Sequence, residues 1–235
     1  MKLCLLVALV VMRLLVAVQG QTNSAAASIS TNIVLWPTLS YANFMVDAPD
    51  QIKRRQLWNY FLIVEREAKR LAGTLDHWEP LKTVKLGPGG PMWFSGGTLR
   101  LSDVSDHGAM FHEIFHNDFN RSQFHQGDDN GWGEGFCDAF RYMMEKKYVP
   151  GPRTSWFEYL DSFTYLTYEQ VMAKSGDKHF DQTYFYPASL IIRKSGKDFE
   201  RFTALWFELQ ALHQRRHSDV LNSYFGYNIQ KGKPL

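Results

Sequence analysis

Cysteine is nearly missing from this chain: of 235 residues only Cys4 and Cys137 are cysteine. Cys4 falls in a stretch that reads as a secretory signal peptide, so the mature chain keeps Cys137 alone and has no internal disulfide to hold it. An excess of one charge sign is missing as well. Removal of residues 1–20 takes away Lys2 and Arg13 and leaves 24 basic against 24 acidic side chains. That balance lacks the dense positive face of a nucleic-acid binder and gives no attraction to an anionic membrane. Beyond the N-terminus no stretch is long and apolar enough to span a bilayer, and no repeats or low-complexity blocks appear.

The start of the chain has its own pattern. Lys2 supplies a positive charge, residues 3–18 are apolar, and Val18-Gln19-Gly20 places small residues where a signal peptidase checks them. Arg13 within the apolar stretch argues against a permanent span; a signal anchor is the alternative. The expectation is a secreted protein with no stable membrane association once residues 1–20 are removed. Residues 21–31, small and polar, form a flexible lead-in. Residues 32–235 are then one domain, and about 200 residues suffice for a well-filled core.

Ile33–Trp36 is a short strand candidate stopped by Pro37. Residues 50–73 carry Leu57, Phe61, Val64, Ala68 and Leu71 at helical spacing, with Lys, Arg and Glu between them. Between 82 and 101 the pattern is strand, turn, strand: Thr83–Leu86, a Gly-Pro-Gly-Gly-Pro turn at 87–91, Met92–Phe94 and Thr98–Leu101, with Gly96-Gly97 a second turn or bulge. Ser105 is placed as the N-cap of the following helix, with Asp106 in its first turn. Helices are expected at roughly 132–148, 156–174, 184–195, 197–214 and 217–225. A small sheet region followed by helices predicts an α+β fold.

One helix in this plan carries chemistry. In Phe111-His112-Glu113-Ile114-Phe115-His116 the two histidines are four residues apart and share a helix face, close enough to grip one metal ion. Glu113 lies one position round, where a general base would stand. A catalytic zinc needs a third protein ligand and an open position. The class with a third histidine fails, because Phe119 and Ser122 stand where it needs Gly and His. Glu134, in Gly131-Trp132-Gly133-Glu134-Gly135-Phe136-Cys137-Asp138, is the candidate ligand, and His125 in the intervening loop is its rival. Asp138, four residues after Glu134, is placed to accept the free ring N–H of a ligating histidine. Cys137 is read as a small buried residue, with a ligand or nucleophile role as the alternative. Arg141 continues the face without an assigned role. Asp128-Asp129-Asn130-Gly131 reads as an ordinary turn rather than a calcium loop, and Asn120-Arg121-Ser122 is a glycosylation sequon.

These residues resemble the gluzincin metallopeptidases, in which a Glu ligand sits on a second helix and, in the thermolysin-like pattern, an Asp follows four residues on. A nearer resemblance is to the basic secretory proteins, a family of secreted peptidases whose second helix reads Glu-Gly-x-x-Asp-x-x-Arg; Glu134-Gly135-Phe136-Cys137-Asp138-Ala139-Phe140-Arg141 matches it. Phe180-Asp181-Gln182-Thr183-Tyr184 looks like that family's aromatic-Asp-Gln-x-Tyr segment. The resemblance covers about 105–230 and departs at Phe119, in the loop before Glu134 and in overall charge. It implies a zincin-like fold, with a small N-terminal sheet whose edge strand, Thr98–Leu101, lies over the zinc helix, and a mostly helical C-terminal half. It implies a Zn2+ cofactor on His112, His116 and Glu134, and a peptide or protein substrate. It also implies a tyrosine that stabilises the oxyanion, with Tyr184 the candidate and Tyr186 the fallback.

The expected reaction is peptide hydrolysis with Glu113 as general base. An aminopeptidase would carry an acid near Gly90-Pro91-Met92-Trp93 to hold the substrate amine, and none is there; this favours an endopeptidase. Two alternatives stand beside it: a peptidase directed at glycoproteins or mucins, and an inactive secreted defence or binding protein with a structural zinc. Oligomeric state is not legible in the sequence.

Overall fold

A period of three to four residues in the apolar positions decides which face of the first long helix is buried. The computed structural model describes residues 45–46, 51–72, 83–87, 93–95, 98–119, 130–212 and 217–235, all within a unit spanning 39–235. In α1 (Gln51–Ala72), Leu57, Phe61, Val64, Ala68 and Leu71 are all buried, as their spacing predicts. Burial of each large side chain contributes about 1.5–3 kcal/mol. The Trp206 indole donates to the Leu71 carbonyl at 2.9 Å, satisfying an acceptor that the end of the helix leaves open. The signal-peptide region, the 21–31 lead-in and the Ile33–Trp36 strand candidate lie outside the described residues, as do the 87–91 turn from Pro88 on and the loop 120–129.

Four short strands, β1 (Met45–Val46), β2 (Thr83–Leu86), β3 (Trp93–Ser95) and β4 (Thr98–Leu101), form one sheet in the order β1-β2-β4-β3. β2 is parallel to both its neighbours, with Val84 opposite Val46 on one side and Leu99 on the other. β3 runs antiparallel to β4, Phe94 opposite Leu99. The expectation that Thr98–Leu101 is the edge is therefore corrected: it is paired on both sides, and the edge next to it belongs to Trp93–Ser95. Only two residues separate β3 from β4 in sequence, and the two strands are antiparallel neighbours. Val84, Leu99 and Leu101 are buried while Lys85 and Arg100 are exposed, the alternation of a half-buried sheet.

The chain leaves β4 through a 3-10 turn (Val104–Asp106) and enters α2 (His107–Phe119). The cap is Asp103, not Ser105: its side chain accepts from Ser105 N at 3.0 Å, and Asp106 reaches back to Asp103 N at 2.9 Å. α2 packs mainly against α3 (Asn130–Tyr148). Phe115 stacks on Phe140 at 4.4 Å and meets Trp206 edge-on, with ring centres 5.1 Å apart. The two helices approach closely because residue 108 is glycine. A Cβ there would overlap Glu145 Oε1 and Arg141 Nε, the two halves of a buried ion pair.

The single helix expected at 156–174 is two: α4 (Ser155–Phe163) and α5 (Tyr168–Lys174). Thr167 ends the run by capping α5, its hydroxyl accepting from Gln170 N while the Gln170 side chain accepts from Thr167 N. α6 (Lys178–Phe180) then continues through a π-turn, Asp181–Phe185, into α7 (Tyr186–Lys194). Pro187 explains the widening. It has no N–H to give to Thr183, and its ring would press on that carbonyl; the chain shifts to a longer bond, Tyr186 N to Asp181 O.

α8 (Phe199–Leu212) and α9 (His217–Phe225) complete the helices, and a short hairpin, β5 (Tyr227–Asn228) with β6 (Lys233–Pro234), closes the described chain. Asn222 Oδ1 accepts from both the Trp132 indole and Ile229 N, which ties the hairpin to the start of α3. The architecture is α+β and dominated by helices. No helix among the described residues is long and apolar enough to cross a membrane.

Candidate metal centre

Four side chains on two adjacent helices converge, and their sequence spacing explains how. His112 and His116 are one turn apart on α2, so both rings leave the same face. Their Nε2 atoms lie 2.9 Å apart. Glu134, in the second turn of α3, brings Oε2 to 3.2 Å from each. Asp138, one turn further along α3, sets Oδ1 2.8 Å from His112 Nδ1. That contact puts the ring proton on Nδ1 and turns the Nε2 lone pair inward.

Electrostatics give the cluster its meaning. Two ring nitrogens and a carboxylate oxygen within 3.2 Å of one another place lone pairs against lone pairs unless positive charge sits among them. Burial opposes a charge on His112, but the charge and hydrogen bonds of Asp138 and Glu134 outweigh it and push its pKa up to about 10. Burial likewise raises Glu134, yet its bonds to His112 and His116 bring it down to about 2. Protons can supply that charge, and so can a metal cation. The donor separations suit a cation: a tetrahedral ion with bonds of about 2 Å has ligand edges of about 3.3 Å. His112, His116 and Glu134 side chains are 14%, 21% and 24% exposed while Asp138 is 5% exposed, so the donors open toward solvent and their support is buried.

Cys137 belongs to the same neighbourhood. It is fully buried, as expected, yet its sulfur and one ring nitrogen each of His112 and His116 all lie within 4.8 Å of one another. These three form a second possible donor group. Burial is the first expectation for Cys137 and a ligand role the second, and both the burial and the nearness to the histidines are seen. Its position three residues after Glu134 was the available signal, since i and i+3 share a helix face.

Glu113, next to His112 in sequence on α2, is partly buried. Tyr184, in the π-turn, is partly exposed, with its ring 4.4 Å from Phe180 and nearly parallel to it. Burial, and then the negative charges of Glu134 and Asp138, raise its hydroxyl pKa, so the hydroxyl lies within their field. α3 and the start of α7, just after the π-turn, touch closely: a Cβ at Gly135 would fall 2.8 Å from Pro187 Cβ. Tyr186, the fallback, packs among other tyrosines. It is buried, with its ring 5.3 Å from Tyr168 and 5.0 Å from Tyr227.

Arg141 has a different task from pairing with a site acid. Its Nε donates to Glu145 at 2.9 Å, its guanidinium lies 3.6 Å from the Trp156 ring centre, and Thr154 donates to the other Glu145 oxygen. The pair braces α3 beneath Gly108. His107 is buried and stacks on Tyr60 at 4.7 Å, away from the donors. His125, Asn120 and Asp128-Asp129 lie outside the described residues, so the rival third ligand has no position to compare with Glu134.

The fold and site together define a helical α+β domain with a metal-donor cluster at the crossing of two helices. Comparison with protein-family models, curated proteins and solved structures finds no match.

Proposed function

We propose that this protein is a secreted, zinc-dependent peptidase with a zincin-like fold, of the gluzincin type and nearest in its motifs to the basic secretory proteins. The observation that carries the reading is the convergence of His112 Nε2, His116 Nε2 and Glu134 Oε2 within 3.2 Å, with Asp138 behind His112 and Glu113 next to His112 in sequence. Two nitrogens and one oxygen, one side open to solvent, are the donor set of a catalytic rather than a closed zinc site. Export rests on the pattern of the first twenty residues.

Zinc held by these three residues supplies Lewis acidity, polarising a scissile carbonyl and acidifying water. Glu113 takes the proton as the water oxygen attacks the carbonyl carbon, then delivers it to the leaving amine as the C–N bond breaks. Asp138 keeps the His112 ring in the tautomer that presents Nε2 and increases its basicity. Tyr184 is the donor available to the oxyanion as charge develops. The extended peptide lies along Trp93–Ser95, the sheet edge beside Thr98–Leu101, by strand addition.

The test is metal content and peptide-library cleavage of the mature chain, beside Glu113→Gln. One zinc per chain, with cleavage that Glu113→Gln abolishes without loss of metal, is the expected result. A chain that binds no metal overturns the assignment. Cys137 favours one second reading, a closed structural site on His112, His116 and a thiolate. Cobalt substitution separates the two: thiolate-to-cobalt charge transfer that disappears in Cys137→Ala marks the closed site.

A further inference from the structure

The π-turn is an uncommon element, and it presents aromatic surface to solvent on a segment packed against α3. Phe180 and Tyr184 are four residues apart across the turn, with rings 4.4 Å apart and 10° from parallel. Phe180 nevertheless remains 40% exposed, and Tyr159, packed edge-on against Phe185 at 5.3 Å, is 39% exposed. Phe180 also meets Phe185 edge-on at 5.1 Å, which fixes the ring that faces solvent. Beneath them Asp181 is buried and accepts from the Tyr159 hydroxyl at 3.0 Å, so the ledge is braced from below. An exposed, rigid stack of rings has lost its conformational entropy before any ligand arrives.

We infer that the Phe180–Tyr184 stack is the subsite that takes a large apolar or aromatic side chain of the peptide beside the scissile bond. The inference rests on the peptidase reading and names its substrate preference. Position argues for it: α3 carries Glu134, the next residue Gly135 abuts Pro187, and Tyr184 precedes Pro187 by three residues. α3 packs against the π-turn as well, so the stack stands on the element that flanks the helix of Glu134. Chemistry selects the occupant. A sugar ring would need free polar groups beside the rings, but the Gln182 amide already donates to Tyr168 and the Thr183 hydroxyl to the His179 carbonyl. Gln182, Thr183 and His179 also line a separate cavity against residues 229–232. The exposed rings of Phe180 and Tyr159 are the apolar surface left open here.

Binding can be read without turnover by using zinc-loaded Glu113→Gln protein and peptide mixtures with one position fixed as Phe or as Ala, the rest randomised. Phe at one position is expected to raise retention about tenfold over Ala, and Phe180→Ala in the same background is expected to bring the ratio close to one. Zinc affinity is expected to stay unchanged and the melting temperature to fall by only a few degrees, about what the lost ring packing costs, showing that the ledge, not the metal or the fold, was altered. A Phe preference that survives Phe180→Ala overturns the subsite while leaving the peptidase reading intact. Equal retention of all peptides by the Glu113→Gln protein has the same consequence, and retention of none overturns both. A peptide carrying a single N-acetylgalactosamine that displaces the Phe peptide would assign the ledge to sugar and overturn the inference as stated.

Discussion

Gly108→Ala sets two effects of opposite sign against each other, and the structure decides between them. Within a helix, alanine is favoured over glycine by about 1 kcal/mol. At this position, however, the new methyl would overlap Glu145 Oε1 and Arg141 Nε. Neither atom is the loose end of a surface side chain. Glu145 is 1% exposed and held by Arg141 and Thr154, while Arg141 is pressed over the Trp156 ring. Room for the methyl requires breaking the pair or parting α2 from α3. Disrupting a buried ion pair costs about 3–5 kcal/mol, so the net loss is about 2–4 kcal/mol. For a domain of this size that lowers the melting temperature by about 5–15 °C. Thermal melts by circular dichroism, with and without zinc, measure it. Because α2 and α3 carry the metal donors, zinc affinity is expected to fall as well. Glu145→Ala in the Gly108→Ala background is expected to lose less than the sum of the single changes, since both act on one contact. A Gly108→Ala protein as stable as the parent would refute the close crossing of the two helices.

Three further outcomes follow from the site and its surroundings. Asp138→Asn is expected to weaken zinc binding about tenfold and Asp138→Ala about a hundredfold, measured by competition with a chelating dye; unchanged affinity would show that His112 needs no buried partner. Tyr184→Phe is expected to lower kcat by about 100-fold with KM little changed, and an equal fall in binding alone would remove Tyr184 from the chemistry. Burial foremost, with Arg141 nearby, lowers the pKa of His107 despite the opposing charges of Glu145 and Asp106. Its unfolded form therefore binds protons more readily, and the stability it contributes is complete above about pH 6.5 and lost as pH falls below it. In metal-free protein, His107→Phe is expected to flatten the melting-temperature loss between about pH 7 and pH 5; identical slopes for both proteins would show that another group is responsible.

Much of the candidate donor cluster was legible because its spacing is local. His112 with His116, and Glu134 with Asp138, are each one helical turn apart, and a turn is a property of contiguous residues. The apolar face of α1 was readable for the same reason: all five residues from Leu57 to Leu71 that its period selects are buried. Some local signals were present and passed over. Thr167 with Gln170 is a capping box that splits 156–174, Pro187 marks the π-turn, and Arg141 with Glu145 has ion-pair spacing.

What tertiary structure alone decided is which parts meet. Strand order is one case: Leu99 pairs with Val84 and Phe94 at once, and nothing in Thr98–Leu101 itself tells an interior strand from an edge. The approach of Glu134 to the histidines, the nearness of Cys137 to the same pair, and the aromatic ledge at Phe180 are others. Each joins segments whose relative placement is set by the packing of α2, α3 and the π-turn into one core. Helical period is written into neighbouring residues by the geometry of the backbone. The choice of partner is made by the whole chain, as it buries apolar surface while pairing most of its buried polar groups.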